Sequence, residues 1–90
     1  MITRIIDRYF TNKFTEELLY RLKTIYSLDF KVKKEKREIK ILAKPVRHKE
    51  YTGIYHFTNN ISLYELLRIE NIIKSIRSYI DYLGEKDIWK

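Results

Sequence analysis

Between Leu66 and Leu83 the apolar residues Leu66, Ile69, Ile73, Ile76, Ile80 and Leu83 step 3-4-3-4-3 along the chain. That spacing lines up on one face only if the segment is helical. Ser62 and Glu65 have the spacing of a capping box, with Ile61 and Leu66 placed as its hydrophobic staple. Gly84 is the expected C-terminal cap. A helix of this kind cannot stand alone, because its stripe must be covered. Ile72 and Tyr79 widen the stripe further, which gives two uses for it. Leu66, Ile69, Ile73, Ile76, Ile80 and Leu83 form a homodimer seam, or they pack on the N-terminal helical segment.

Upstream the period changes. Phe30 and Val32 alternate with Lys31 and Lys33, and Ile39, Ile41 and Ala43 alternate around Lys40. The parity of the apolar positions switches between the two runs, as it does across a two-residue turn at Glu35-Lys36. That register sets Phe30 opposite Ile41 and Val32 opposite Ile39, with Lys31 facing Lys40 and Lys33 facing Glu38 on the other side. Pro45 ends the second strand, and Lys44 to Thr52 reads as a connector. Gly53 to Thr58 gives a third strand, with Tyr55 and Phe57 on one face and Ile54 and His56 on the other.

The first thirty residues are helical by pattern. Ile2, Ile5, Ile6, Tyr9 and Phe10 form one stripe, and Phe14, Leu18, Leu22, Ile25 and Tyr26 form a second. Thr11-Asn12-Lys13 is the expected break between them, with Thr15, Glu16 and Glu17 opening the next helix. The fold class is therefore α+β: an N-terminal helix or broken helix pair, a small three-stranded antiparallel sheet, and a long C-terminal helix, in the order α-β-β-β-α. Residues 1–90 make a single domain. Double-stranded-RNA-binding domains share this element order. They open their second helix on a lysine-rich anchor, where this chain has Asn60-Ile61-Ser62-Leu63-Tyr64, so no membership follows.

Charge narrows the function. The chain carries 19 Lys+Arg against 12 Asp+Glu, a formal charge of +7. Residues 31–49 hold seven Lys and two Arg against Glu35 and Glu38, so this segment alone accounts for +7 while its flanks cancel. Such a concentration repels itself unless an anionic partner relieves it. Cysteine is absent, which removes disulfides, thiolate metal sites and thiol catalysis. Two glycines, 31 residues apart at positions 53 and 84, cannot build a phosphate loop or dinucleotide fingerprint. His48 and His56 lack a third ligand at metal spacing, so no metal or cofactor is expected. The N-terminus lacks an apolar signal core and no run is long enough to span a bilayer, giving an expectation of a cytoplasmic protein without membrane contact. The wealth of Ile, Lys and Tyr fits an AT-rich genome, and the lack of Gln and Cys fits a thermophile, so a viral, plasmid or archaeal source is expected.

The leading functional reading is sequence-nonspecific binding to the backbone of DNA or RNA. Lys31, Lys33, Lys34, Lys36, Arg37, Lys40, Lys44, Arg47 and Lys49 would neutralise phosphates, and Tyr51 would stack on bases. Lysine outnumbers arginine seven to two in the segment, which suits point-charge contact more than bidentate base reading. Tyr55, on an alternating strand, belongs to the core. A second reading, of a different class, is a dimeric adaptor or inhibitor docking an acidic protein surface. A third is a metal-dependent nuclease with Asp29 and Glu38-x-Lys40 as its acid and lysine pattern. Trp89 either folds back on the core or marks a contact, and its sequence position decides neither.

Overall fold

In a computed structural model, residues 2–86 and 89 are described, with the side chains of residues 2–7 excepted. Helix α1 spans Ile2–Ile25, strands β1, β2 and β3 span Leu28–Lys34, Glu38–Pro45 and Thr52–Thr58, and helices α2 and α3 span Leu63–Leu67 and Ile69–Glu85. The sheet is antiparallel in the order β1-β2-β3. Helix α1 packs against β1 and α3, and α3 packs against β3, so both long helices cover the same face.

The core explains the periodicities. Phe14, Leu18 and Leu22 of α1 are fully buried against Ile39, Ile41 and Ala43 of β2 and against Ile54 and Phe57 of β3. Phe14 meets Phe57 edge to face, with ring centroids 5.0 Å apart. From α3, Ile69, Ile73, Ile76, Ile80 and Leu83 enter the same cluster, and Leu66 is half-buried at its margin. The 3-4 stripe is thus spent inside one chain. This corrects the expectation of a homodimer seam through Leu66, Ile69, Ile73, Ile76, Ile80 and Leu83: the second α1 stripe supplies enough apolar surface to cover it. Outside the core, Tyr79 and Tyr82 stay exposed, with rings stacked 6.2 Å apart.

Helix α1 does not break. Thr11 is 4% exposed and its hydroxyl donates to the Asn59 carbonyl at 3.0 Å and accepts the Ile61 N–H at 3.1 Å. Thr15, also buried, donates to the Thr11 carbonyl at 2.8 Å. The polar Thr11-Asn12-Lys13 stretch therefore keeps helical geometry, because its threonine has tertiary partners and has no need to cap a new helix. Of the first stripe, Ile2, Ile5 and Ile6 lie outside the described side chains. Tyr9 is exposed and Phe10 is half-buried beside it, their rings 5.6 Å apart.

The hairpin register is displaced by two residues from the expected one. Phe30 pairs with Ala43, Val32 with Ile41 and Lys34 with Ile39. The Glu35 N–H donates to the Glu38 carbonyl at 2.8 Å, so the two turn residues are Lys36 and Arg37 and not Glu35-Lys36. A shift of two preserves the side-chain parity, and every residue keeps its expected face. Across β2 and β3 the register shifts between Ile41 and Leu42, and Ile54 is the extra residue. This bulge brings Ile54 onto the core side, contrary to its alternating position, and it is 5% exposed. His56 stays on the face opposite Tyr55 and Phe57, its side chain 75% exposed.

At the C-terminal helices the Ser62 N–H donates to the Glu65 carboxylate, the return bond of the capping box, and the Ser62 hydroxyl donates to the same carboxylate. The single expected helix is divided by a turn at Arg68. Gly84 is not the cap. The helix runs through it to Glu85, and Lys86 closes the end by donating its N–H to the Tyr82 carbonyl at 3.0 Å. Trp89 returns to the sheet, half-buried, its indole N–H donating to the Thr52 hydroxyl at 3.1 Å.

Candidate nucleic-acid interface

With both long helices on one side, the other face of the sheet is open. Alternation along the strands decides what it presents. One row runs Lys33–Lys40–His56, the next Lys31–Leu42–Gly53, and the third Asp29–Lys44. Directly opposed like charges are unfavourable on a sheet, and the Lys33–Lys40 pair needs compensation. Glu35 supplies it, with its carboxylate 3.7 Å from the Lys33 ammonium and 3.4 Å from that of Lys40. Glu38 holds His56 at 2.8 Å.

Lys44 is the most enclosed of these lysines, its side chain only 14% exposed. Its ammonium lies 3.3 Å from the Asp29 carboxylate and donates to the His48 carbonyl at 2.7 Å. It also sits 5.4 Å from the centre of the Tyr51 ring, and Lys31 approaches the same ring at 5.7 Å. Lys44 therefore anchors the loop of residues 46–51, and Tyr51 is engaged by two ammonium groups. Tyr55 points into the core, and burial, with the Glu65 charge adding to it, pushes its phenol above the ordinary value.

Ion pairing nearly neutralises the open face: Lys31, Lys33, Lys40 and Lys44 stand against Asp29, Glu35 and Glu38. The surplus of positive charge is displaced to the two ends of the sheet. Arg47 and Lys49 are exposed on the β2–β3 loop. At the other end are Lys34, Lys36 and Arg37, and Lys34 has the core-side parity in a row with Ile39 and Phe57. Its parity directs it toward the helix layer, where Arg8 of α1 is found.

These side chains surround a groove of about 900 Å³ whose lining includes Arg8, Asn12, Lys34, Lys36, Arg37 and Asn60. Among the described residues, no carboxylate lies within 4.0 Å of Arg8, Lys34, Lys36 or Arg37. Sequence reasoning missed Arg8, which lies far from residues 31–49 and carries no local signal. Only the packing of α1 over the hairpin brings it in.

The nuclease pattern is not assembled. Asp29 pairs with Lys44, and Glu38 is six residues further along β2, about 20 Å away at about 3.3 Å per residue. Among the described residues no group of three or more His, Asp or Glu side chains could hold a metal ion, and no helix is long and apolar enough to cross a membrane. No protein-family model, curated protein or solved structure matches the chain, so its functional reading rests on this geometry.

Proposed function

We propose that the protein binds the phosphate backbone of nucleic acid, without sequence preference, through its open sheet face and the cations at both ends of it. The observation that supports this reading is the arrangement of residues 31–49. Nine cations lie on one hairpin and its following loop, next to a sheet face that neither long helix covers, and most of those with no carboxylate partner among the described residues stand at its two ends. A strand laid along the face would meet Arg47 and Lys49 at one end and Lys36 and Arg37 at the other, exchanging condensed counterions for fixed ones. Lys44 and Lys40 would act mainly by holding the surface in shape.

The test is fluorescence anisotropy of labelled single- and double-stranded DNA and RNA over a salt series, with a Lys31→Ala/Lys33→Ala/Lys40→Ala/Arg47→Ala variant alongside. Five phosphate contacts would give a log–log salt slope of about −3.5 on a single strand and about −4.5 on B-DNA. The variant should bind more weakly and with a flatter slope. Absence of binding at low salt would overturn the reading.

One observation favours a protein partner instead. Leu63, Tyr64 and Leu67 of the short helix α2 are at least half exposed, a cluster of large apolar side chains that the core does not use. An adaptor would bind one protein through such a patch and leave arbitrary oligonucleotides unshifted.

A further inference from the structure

We infer that the groove between α1 and the hairpin tip is a phosphate seat for single-stranded nucleic acid, an assignment that rests on the nucleic-acid reading above and adds Arg8 to it. Arg8, Lys34, Lys36 and Arg37 converge on the groove from two elements. Glu35 also borders the groove, but its carboxylate is drawn toward the opposite face of the sheet by Lys33 and Lys40. Four cations with no carboxylate partner among the described residues make a site for an anion with several oxygens, and the two guanidinium groups suit a phosphate.

The groove is also rigidly framed. The Thr11 hydroxyl donates to the Asn59 carbonyl at 3.0 Å and accepts the Ile61 N–H at 3.1 Å, tying α1 to the β3–α2 loop. Asn59 in turn donates its side-chain amide to the Lys36 carbonyl at 3.1 Å and its backbone N–H to the Arg37 carbonyl at 3.2 Å. The loop thereby fastens the hairpin turn to the helix. Hairpin turns on open sheets usually swing, and this one is held at both of its central residues. Cations on a fixed frame lose less entropy when they close on a ligand.

The groove is concave, and Asn12 and Asn60 contribute amides to its lining. The Asn60 side-chain oxygen accepts the Thr58 hydroxyl at 2.5 Å, which orients its amide. Duplex bases are read by protein elements that project into a groove of the nucleic acid, whereas a receiving groove on the protein reaches bases only when they are splayed from a single strand. Amides beside a phosphate seat therefore suit a single strand, with backbone held by the cations and base edges meeting the amides.

The experiment uses the full chain and a twelve-nucleotide oligothymidine labelled at its 3′ end, carrying either a 5′-phosphate or a 5′-hydroxyl, together with a twelve-base-pair duplex. Arg8→Ala and Arg8→Ala/Arg37→Ala are compared with Lys74→Ala, which removes one charge from the exposed side of α3. Arg8 and Arg37 are exposed, and unchanged thermal midpoints confirm that the variants fold. Arg8→Ala should weaken single-strand binding about threefold to tenfold and flatten the salt slope by about 0.7 per lost contact, with Lys74→Ala indistinguishable from the parent. Equal affinity for the two 5′ ends assigns the seat to internal phosphodiesters. Tighter binding of the 5′-phosphate, abolished by Arg8→Ala, assigns it to the strand terminus. If both groove variants bind like Lys74→Ala while the sheet-face variant is still impaired, the groove assignment falls and the nucleic-acid reading stands. A duplex bound as tightly, with the same loss in Arg8→Ala, overturns the single-strand assignment. No binding of any oligonucleotide by the parent overturns both.

Discussion

Replacing Thr11 by valine removes one hydroxyl and almost no volume, and it should be among the most damaging single changes outside the apolar core. Thr11 is 4% exposed and Ile61 is 5% exposed. Without the hydroxyl, the Ile61 N–H loses its acceptor at 3.1 Å in a place where water has little access. An orphaned buried donor costs about 1–3 kcal/mol. The Asn59 carbonyl also loses its donor, but Asn59 is exposed and water replaces most of that bond. Threonine and valine have similar helix propensities, so that contribution cancels. The expected loss is about 2–3 kcal/mol. For a chain of 90 residues, unfolding entropies of about 2.1 cal/mol/K per residue turn this into a fall in Tm of about 10–15 °C. Thr11→Ser keeps the hydroxyl and deletes a methyl, for about 1 kcal/mol. Circular-dichroism melts and urea titrations with a constant m-value should therefore rank the parent first, serine second and valine last. A Thr11→Val protein as stable as the parent would refute the account of how α1 is joined to the β3–α2 loop.

Gly84 lies within the last turn of α3 and a Cβ added there meets open space, so Gly84→Ala should raise stability by about 0.5–1 kcal/mol in the same urea titration. A loss of stability would show that the helix end needs the glycine after all. The hydrogen bonds from Ser62 hold the Glu65 carboxyl below its ordinary value of 4.5. A lowered folded-state value means that the stabilisation is complete above pH 4.5 and is lost as the pH falls through the folded-state value. Glu65→Gln should accordingly show a shallower acid decline of Tm than the parent as the pH falls below 4.5. Parallel acid limbs would remove Glu65 from the capping interaction.

Much of the fold was legible because its signals are local. The Ser62–Glu65 spacing announces a helix start, the 3-4 stripe announces α3, and the alternation from Phe30 to Ala43 announces two strands and their faces. The faces survived a wrong register because parity is blind to a shift of two. The register itself depends on the turn, and neither Glu35-Lys36 nor Lys36-Arg37 contains the glycine or asparagine that marks one turn over the other. Thr11-Asn12-Lys13 resembles a break until Asn59 and Ile61 are known to lie beside Thr11, 48 and 50 residues away in sequence. The bulge that turns Ile54 inward is likewise set by β2 pairing.

The candidate site divides in the same way. Its basic segment is visible in a charge count, but the count cannot tell a lysine spent on an acid from one left over. Lys44 looks like Lys36 in the sequence. In the fold the first is fastened to Asp29 and His48 while the second borders the groove. Arg8 enters the site only through the packing of α1.

The measurement that tests the central claim most directly is a ¹⁵N-resolved NMR titration of the full chain with an oligothymidine, repeated at high salt. Amide shifts should gather at residues 31–49 and at Arg8, Asn12, Asn59 and Asn60 and be reversed by salt, with α3 silent. Shifts gathered at Leu63, Tyr64 and Leu67, or no shifts at low salt, would contradict it.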